Sequence, residues 1–143
     1  MALLSEQDRQ AVRTRLAELT HRVTLLFFTQ TIGGPETGHI TKQILSELAE
    51  LSDKITIEEV NFILDQDRAA SYGVDKIPAI AVLKNGEDTR IRFFGAPSGY
   101  EFMSLIEAIL LAGGDDSGLK LESKELLATV TTPIDLQVFV TPT

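Results

Sequence analysis

A proline at the start of a predicted strand is the feature of this sequence that most restricts its fold. The segment from Val74 to Leu83 (Val-Asp-Lys-Ile-Pro-Ala-Ile-Ala-Val-Leu) becomes continuously apolar directly after Pro78. Because proline has no backbone N–H, it removes a hydrogen bond from a sheet and is confined to strand ends, edges and turns. We therefore expect Pro78 to form a cis turn, or to open an edge where the backbone of Lys76 and Ile77 can bind another chain.

The second constraint is chemical, because the 143 residues include no cysteine. Without cysteine there is no disulfide bond, no thiol catalysis and no thiolate ligand for a metal. The two histidines, His21 and His39, are too few and too isolated in sequence to form a metal triad. The sequence therefore predicts neither a metal site nor a cofactor.

Charge and hydropathy restrict the partners and the location of the protein. The formal net charge is −8 at pH 7, whereas nucleic-acid phosphates are normally bound by a basic surface. No apolar run approaches the roughly 18 residues that a membrane-spanning helix needs. The amino terminus becomes acidic at Glu6, too early for a signal peptide. We therefore expect a cytoplasmic protein that binds neither nucleic acid nor membrane.

Residues 5 to 112 alternate between helix-like and strand-like patterns. Apolar residues at helical spacing indicate amphipathic helices, and short β-branched apolar runs indicate buried strands. The predicted elements are, in order, a helix beginning at the capping residues 5–8, a strand over 22–29, a helix over 40–51, a strand over 55–62, a short helix over 67–72, strands over 79–83 and 90–94, and a helix that begins at a capping box over 98–101 and ends at 113.

The order of these elements predicts the fold class. The dipeptide Asn85-Gly86 accepts the positive φ angles of a tight hairpin, so the last two strands should be antiparallel. The order from residue 22 to 112 is β-α-β-α-β-β-α, preceded by an additional helix. We therefore predict an α/β fold in which a mixed four-stranded sheet carries helices on both faces.

The carboxyl-terminal segment resembles a second beginning of the same pattern. A polar break at 115–118 divides the chain into a unit over 1–114 and a tail over 115–143, with a helix predicted over 123–130 and a strand over 134–143. The pentapeptide Phe139-Val140-Thr141-Pro142-Thr143 repeats the Phe and both Thr of Phe27-Phe28-Thr29-Gln30-Thr31 at a constant separation. We interpret the tail as the start of a truncated second repeat.

A hydrophobic strand without its own sheet tends to pair with another chain. The predicted partners of the tail are therefore a second unit of the same kind or another protein, with a homodimer through residues 117–143 as a further hypothesis.

Three segments of the chain carry a resemblance to a known family. They are Glu47–Ile55, Lys76–Ala79 and Arg92–Leu105. With the order of elements, they resemble the thioredoxin fold, and most closely the amino-terminal half of the glutaredoxin-like protein disulfide oxidoreductases, which carry two such units in tandem. The amino-terminal domain of the flavoprotein subunit of alkyl hydroperoxide reductase is similar too. The resemblance implies a thioredoxin-like fold and a role in redox homeostasis.

The chain departs from this family where the chemistry should be. Family members of the oxidoreductase type carry a CxxC motif at the start of the second helix. Counting back from Leu51 places that slot at Pro35, Glu36, Thr37 and Gly38, whereas counting forward from Thr31 places it at residues 32–35; neither contains a thiol.

Thiol–disulfide exchange needs one thiolate to attack a disulfide sulfur and a second thiol to resolve the mixed disulfide. The hydroxyl of Thr37 cannot replace a thiolate, because it scarcely ionises at neutral pH and no adjacent base is apparent. We therefore predict no catalytic residue in this chain, and expect the working cysteines of an intact oxidoreductase to lie beyond Thr143.

These observations predict a redox-inactive thioredoxin-fold unit with a scaffolding and partner-docking role. The alternative is a free-standing module that binds peptide or glutathione at Lys76, Ile77 and Pro78 without redox turnover. A third hypothesis is phosphate binding, because residues 33–38 have the GxxxxG spacing of a P-loop. The Lys and Ser/Thr that this chemistry needs are replaced by His39 and Ile40, which disfavours it.

Overall fold

The computed structural model describes residues 2–141. Met1 lies outside the described residues, as do Pro142 and Thr143 of the predicted tail strand. The helices are α1 (Glu6–Leu16), α2 (Thr37–Ala49), α3 (Gln66–Ser71), α4 (Glu101–Ala112) and α5 (Leu121–Ala128), and the strands are β1 (Val23–Thr29), β2 (Ile55–Asn61), β3 (Ala79–Lys84) and β4 (Glu87–Phe94). From β1 to α4 the order is the predicted β-α-β-α-β-β-α.

The four strands form one mixed sheet in the order β2-β1-β3-β4. Strand β1 is parallel to β2 and antiparallel to β3, and β4 is antiparallel to β3. The hairpin between β3 and β4 turns at Asn85 and Gly86, whose φ angles of 49° and 84° match the positive φ angles of a tight hairpin turn. The predicted fold class is confirmed.

The core has two layers because successive residues of a strand point to opposite faces of the sheet. Val23, Leu25 and Phe27 of β1 pack with the buried residues of α1, α2 and α4. Leu26 and Phe28 point to the other face, where they pack around α3. Each buried large side chain contributes about 1.5–3 kcal/mol relative to an exposed one. The continuous apolar run of β1 therefore follows from its central position, covered on both faces.

Helix α1 begins as its capping residues predict, but α4 does not. The backbone N–H of Asp8 donates to Ser5 Oγ at 3.1 Å. The predicted capping box at the start of α4 is absent, because Tyr100 is the N-cap and has helical backbone angles. The N–H of Glu101 instead donates to the carbonyl of Ser98 at 3.2 Å. A backbone turn from Ser98 to Glu101 therefore takes the place of the predicted cap by the Ser98 hydroxyl.

The junction between the sheet and the tail is held by polar contacts. The backbone N–H groups of Thr20 and His21 both donate to the carbonyl of Gly113 at 3.0 Å. His21 Nε2 lies 2.5 Å from Asp115 Oδ1, and the other ring nitrogen lies 3.1 Å from Asn85 Nδ2. The hydrogen bonds from His21 and then Thr20 lower the pKa of the Asp115 carboxyl. The start of the tail is therefore fixed to the entrance of β1.

The tail itself differs from its prediction. Its helix is present as α5, although none of the α5 residues is buried. The predicted strand is wrong for the described residues, because residues 130–141 form no strand. A strand needs a neighbour for its hydrogen-bond ladder, and the described part of this segment pairs with none of the four strands. Its apolar side chains are exposed, and Leu136, for example, is 86% exposed.

Among residues 2–141, no helix combines the length and the apolarity that crossing a bilayer requires.

Candidate functional site

The sheet register brings the two predicted parts of the site to one end of the molecule. Phe28 of β1 pairs with Ala79 of β3, so Pro78 and Thr29 lie at the same end of the sheet. The loop that follows Thr29 leads into α2, whose first residue is Thr37. The entrance of β3 therefore lies beside the loop that precedes α2.

Residues Pro35 to Gly38 form a tight turn that becomes the first turn of α2. Glu36 is the N-cap, and the N–H of Gly38 donates to the carbonyl of Pro35 at 2.9 Å. Gly38 is buried, and a Cβ at this position would lie 3.2 Å from Thr29 Oγ1. Of the two alternative slots, the one over 35–38 coincides with the start of the helix, whereas the one over 32–35 lies in the preceding loop.

A small cavity of about 50 Å³ lies behind this turn. It is lined by the ends of β1 and β2, by Pro35 and Gly38, and by the Lys42–Glu59 ion pair, in which the nitrogen and oxygen are 2.8 Å apart. The buried hydroxyl of Thr41 donates to the carbonyl of Thr37 at 2.8 Å. Thr41 is not among the residues that line the cavity, and its hydroxyl is engaged by backbone.

The entrance of β3 presents unpaired backbone. The Ile77–Pro78 peptide bond is cis. Pro78 is buried, and its carbonyl accepts the N–H of Gly95 at 2.8 Å. Within residues 2–141, by contrast, the backbone N–H and C=O groups of Lys76 and Ile77 make no hydrogen bond. Backbone N–H and C=O groups normally have hydrogen-bond partners. Because those of Lys76 and Ile77 have none among the described residues, they can bond to the backbone of an incoming chain.

The side chain of Lys76 is held beside this backbone. Its ammonium nitrogen lies 4.8 Å above the centre of the Phe94 ring and 2.9 Å from Asp75 Oδ1. The hydrogen bond and the charge of Lys76 lower the pKa of the Asp75 carboxyl. Both charged groups are exposed, so their pairing contributes little to stability.

Exposed apolar residues at the same end of the sheet were not predicted. They are Ile32 before α2, Leu64 after β2, and Tyr100 before α4. Apolar residues within otherwise polar loops are the sequence signal that could have identified them. Where such residues are exposed together in the structure, they are common at binding surfaces. The arrangement can bind a partner through backbone and apolar groups.

Comparison with known proteins agrees with this geometry, although no protein-family model matches the chain. The alkyl hydroperoxide reductase component AhpF of Escherichia coli is 33% identical over 115 residues, which are 80% of this chain and 20% of the relative. The solved NTD_N/C domain of AhpF from Enterococcus faecalis is 33% identical with a TM-score of 0.80, and the match covers 87% of this chain and 60% of that domain.

A second type of relative has the same fold. The solved protein disulfide oxidoreductase of Aeropyrum pernix is 28% identical with a TM-score of 0.77, over 90% of this chain and 56% of that one. A thioredoxin from Halobacterium salinarum has a TM-score of 0.56 at 16% identity over 81% of this chain and 92% of its own, which shows the fold alone.

The chain spans about a fifth of the length of the curated relatives that it matches. It is a thioredoxin-fold homologue of the N-terminal domain of the alkyl hydroperoxide reductase component AhpF and of the protein disulfide oxidoreductases.

Proposed function

We propose that the chain is a redox-inactive thioredoxin-fold unit that provides a scaffold and a docking surface within a disulfide-oxidoreductase or peroxide-reductase type of protein. The observation that carries this proposal is the turn over Pro35–Gly38, which starts α2 beside the entrance of β3 and contains no sulfur. The names of the relatives support the redox context. The cytoplasmic location predicted from the sequence remains part of the proposal.

The docking role is supported by the unpaired backbone of Lys76 and Ile77. An extended peptide can add itself to such a segment as a short strand, with main-chain hydrogen bonds providing the affinity. The exposed side chains of Ile32, Leu64 and Tyr100 at the same end of the sheet offer apolar contacts to its side chains. This surface also favours the second candidate, a free-standing module that binds peptide or glutathione.

We expect the purified chain to leave the rate of insulin reduction by dithiothreitol unchanged. The two steps of disulfide exchange both need a thiol that this chain does not have. The measurement is insulin turbidity, with a thioredoxin as the positive control. Any acceleration that purifies with this chain would contradict the proposal.

Pro78→Ala should weaken the binding of an extended peptide by about tenfold, or about 1.4 kcal/mol. The substitution restores an N–H at the strand entrance and frees the backbone that the proline ring restrains, so Lys76 and Ile77 are no longer held in one conformation. Fluorescence anisotropy with a labelled peptide measures the change, and calorimetry tests glutathione.

Pro133→Ala is the matched control, because Pro133 lies in the exposed tail and should leave peptide binding unchanged. Absence of binding by the parent chain even at millimolar ligand would rule out the peptide site.

We also propose that the division at 114/115 marks the start of a second repeat, and that the tail binds a second unit or another protein. Without such a partner, copies of this chain should pair through the tail, and Leu136→Asp should shift the dimer to monomer by placing a charge in an apolar contact. Light scattering at increasing concentration measures this. Gln137→Asp adds the same charge at a polar position and should leave the dimer intact. A parent chain that stays monomeric would contradict the homodimer.

A further inference from the structure

Strand β4 contains a bulge that brings two charged side chains together. Ala81 of β3 pairs with Arg92 and Leu83 pairs with Asp88, so two steps along β3 correspond to four steps along β4. In a regular strand, residues four apart are separated by about 13 Å along the strand. The bulge shortens this separation, and the guanidinium of Arg92 donates to both carboxylate oxygens of Asp88, at 2.8 and 2.6 Å. Bulges commonly re-aim a side chain beside a functional site.

The side chain that this bulge re-aims caps the carboxyl end of α3. Arg92 Nε donates to the carbonyl of Tyr72, the C-cap residue, at 3.0 Å. The guanidinium carbon also lies 5.5 Å from the centre of the Tyr72 ring. The last carbonyls of a helix have no partner within the helix, so Arg92 supplies a donor that α3 itself cannot.

The carboxylate that holds Arg92 is itself fixed. Asp88 Oδ1 accepts the backbone N–H of Arg90 at 2.8 Å. The hydrogen bond from Arg92, followed by the one from Arg90, outweighs partial burial and lowers the pKa of the Asp88 carboxyl. Asp88 is therefore charged at neutral pH, and a planar guanidinium matches its two oxygens in a way that a lysine ammonium cannot.

The docking backbone follows directly after α3 and is tied to β4 at both ends. Arg92 holds the carbonyl that ends the helix. Phe94, two residues further along β4, lies on the same face of the strand, and the centre of its ring is 4.8 Å from the ammonium nitrogen of Lys76. The N–H of Gly95 donates to the carbonyl of Pro78 at 2.8 Å. One end of β4 therefore contacts the start, the middle and the end of the segment that presents the unpaired backbone.

We propose that Arg92 is a positioning residue for the docking surface, and that by fixing the end of α3 at Tyr72 it holds the backbone of Lys76 and Ile77 in the conformation that receives an extended chain. The inference rests on the proposed docking role. Arg92 acts through Tyr72, because its side chain is only 16% exposed and all three of its nitrogens are engaged within the chain. A backbone that is ordered before binding loses less conformational entropy when the partner arrives.

The test is fluorescence anisotropy with the labelled peptide Gly-Val-Thr-Val-Thr-Gly, whose side chains are uncharged and favour an extended backbone. Arg92→Lys keeps the charge but cannot donate to Asp88 and to the Tyr72 carbonyl together. We expect it to weaken peptide binding about fivefold. In the unliganded variant, the amide ¹H–¹⁵N signals of Lys76 and Ile77 should shift or broaden.

Arg9→Lys is the matched control. The Arg9 side chain is 18% exposed and pairs with the carboxylates of Glu47 and Glu50, so the chemical change and the burial are the same as at residue 92. Its contacts lie on α1 and α2. It should change peptide binding by less than about twofold and leave the Lys76 and Ile77 signals in place, because the two sites share no partner.

A double-mutant cycle tests whether Asp88 and Arg92 act as one unit. Asp88→Asn removes the charge that holds the guanidinium and should weaken peptide binding about threefold. Combined with Arg92→Lys, it should weaken binding little beyond the fivefold loss of Arg92→Lys alone, since both changes release the same contact with Tyr72. Losses that multiply would contradict a shared role.

Unchanged peptide binding by Arg92→Lys would overturn the proposal, as would an equal loss in Arg9→Lys. Weaker binding with unchanged Lys76 and Ile77 signals would also overturn it, because Arg92 would then act on the peptide directly. Absence of peptide binding by the parent chain would contradict the docking role itself, and the signals of the unliganded chain would then decide whether Arg92 positions this backbone.

Discussion

Gly113→Ala is expected to lower the free energy of unfolding by about 2–3 kcal/mol, the range found for overpacked cores. A Cβ at this position would lie 2.4 Å from Leu19 Cδ2 and 3.0 Å from Val23 Cγ2. Leu19 and Val23 are both buried and cannot move into solvent. The φ angle of Gly113 is −87°, so the glycine is needed for space and not for its backbone conformation. Urea denaturation of the variant measures the loss.

A double-mutant cycle separates this clash from other effects of the substitution. Leu19→Ala alone should cost about 2–5 kcal/mol because it leaves a cavity. In the double variant the new methyl group occupies part of that cavity, so the combined loss should be at least about 1 kcal/mol smaller than the sum of the single losses. Strictly additive losses would contradict the proposed contact and would instead assign the effect to the hydrogen bonds that the Gly113 carbonyl accepts.

The sequence predicts those parts of the fold in which local pattern and final environment agree. The apolar run of β1 reflects its central place in the sheet, and Asn85-Gly86 adopts the hairpin turn that its residue types favour. The first half of β4 was missed, because Glu87–Arg90 is polar and contains a register irregularity at which Arg90 has a φ angle of 68°. Its pairing depends on β3, which no local pattern of β4 reveals.

The tail is the opposite case, because its sequence pattern predicts a strand that its described residues do not form. Residues 134–138 alternate between apolar and polar in a way that is typical of a strand, yet a strand forms only where another strand supplies its hydrogen-bond ladder. The capping box at the start of α4 also failed for a nonlocal reason, since the backbone turn at Gly99 and Tyr100 displaces the hydroxyl of Ser98 from the cap position. Residue identity alone does not determine these outcomes.

The candidate site was predicted in part. Periodicity and spacing place Pro78 at the entrance of a strand, and they place residues 32–38 in the loop before a helix. Only the family resemblance gave a reason to consider these two segments together. The register of Phe28 with Ala79 brings them to one end of the sheet. The apolar side chains of Leu64 and Tyr100 were missed, because only the assembled sheet brings these separate loops to the same end.

Cysteines introduced together by Pro35→Cys and Gly38→Cys are expected to give the chain insulin-reducing activity at least about tenfold above background, a barrier change of about 1.4 kcal/mol or more. The turn hydrogen bond between Gly38 and Pro35 brings the two positions close enough for a disulfide. The amino terminus of α2 lowers the pKa of a thiol placed there and favours the reactive thiolate. The new Cβ at residue 38 requires a small movement of the Thr29 hydroxyl. Insulin turbidity and thiol titration measure activity and disulfide formation.

The matched control is Leu119→Cys with Glu122→Cys at the start of α5. Residues 119 and 122 stand in the same positions relative to the N-cap Lys120 as residues 35 and 38 stand relative to Glu36. The sheet register places residues 35–38 at the same end of the sheet as Pro78, whereas the described tail that contains α5 adds no strand to the sheet. The control pair should therefore react with small disulfide reagents but reduce insulin only at the background rate. Equal insulin reduction by both pairs would show that the surface around Lys76 and Ile77 adds nothing to substrate binding. A pair at 35 and 38 that oxidises readily but leaves insulin intact would contradict the assignment of the slot to this turn.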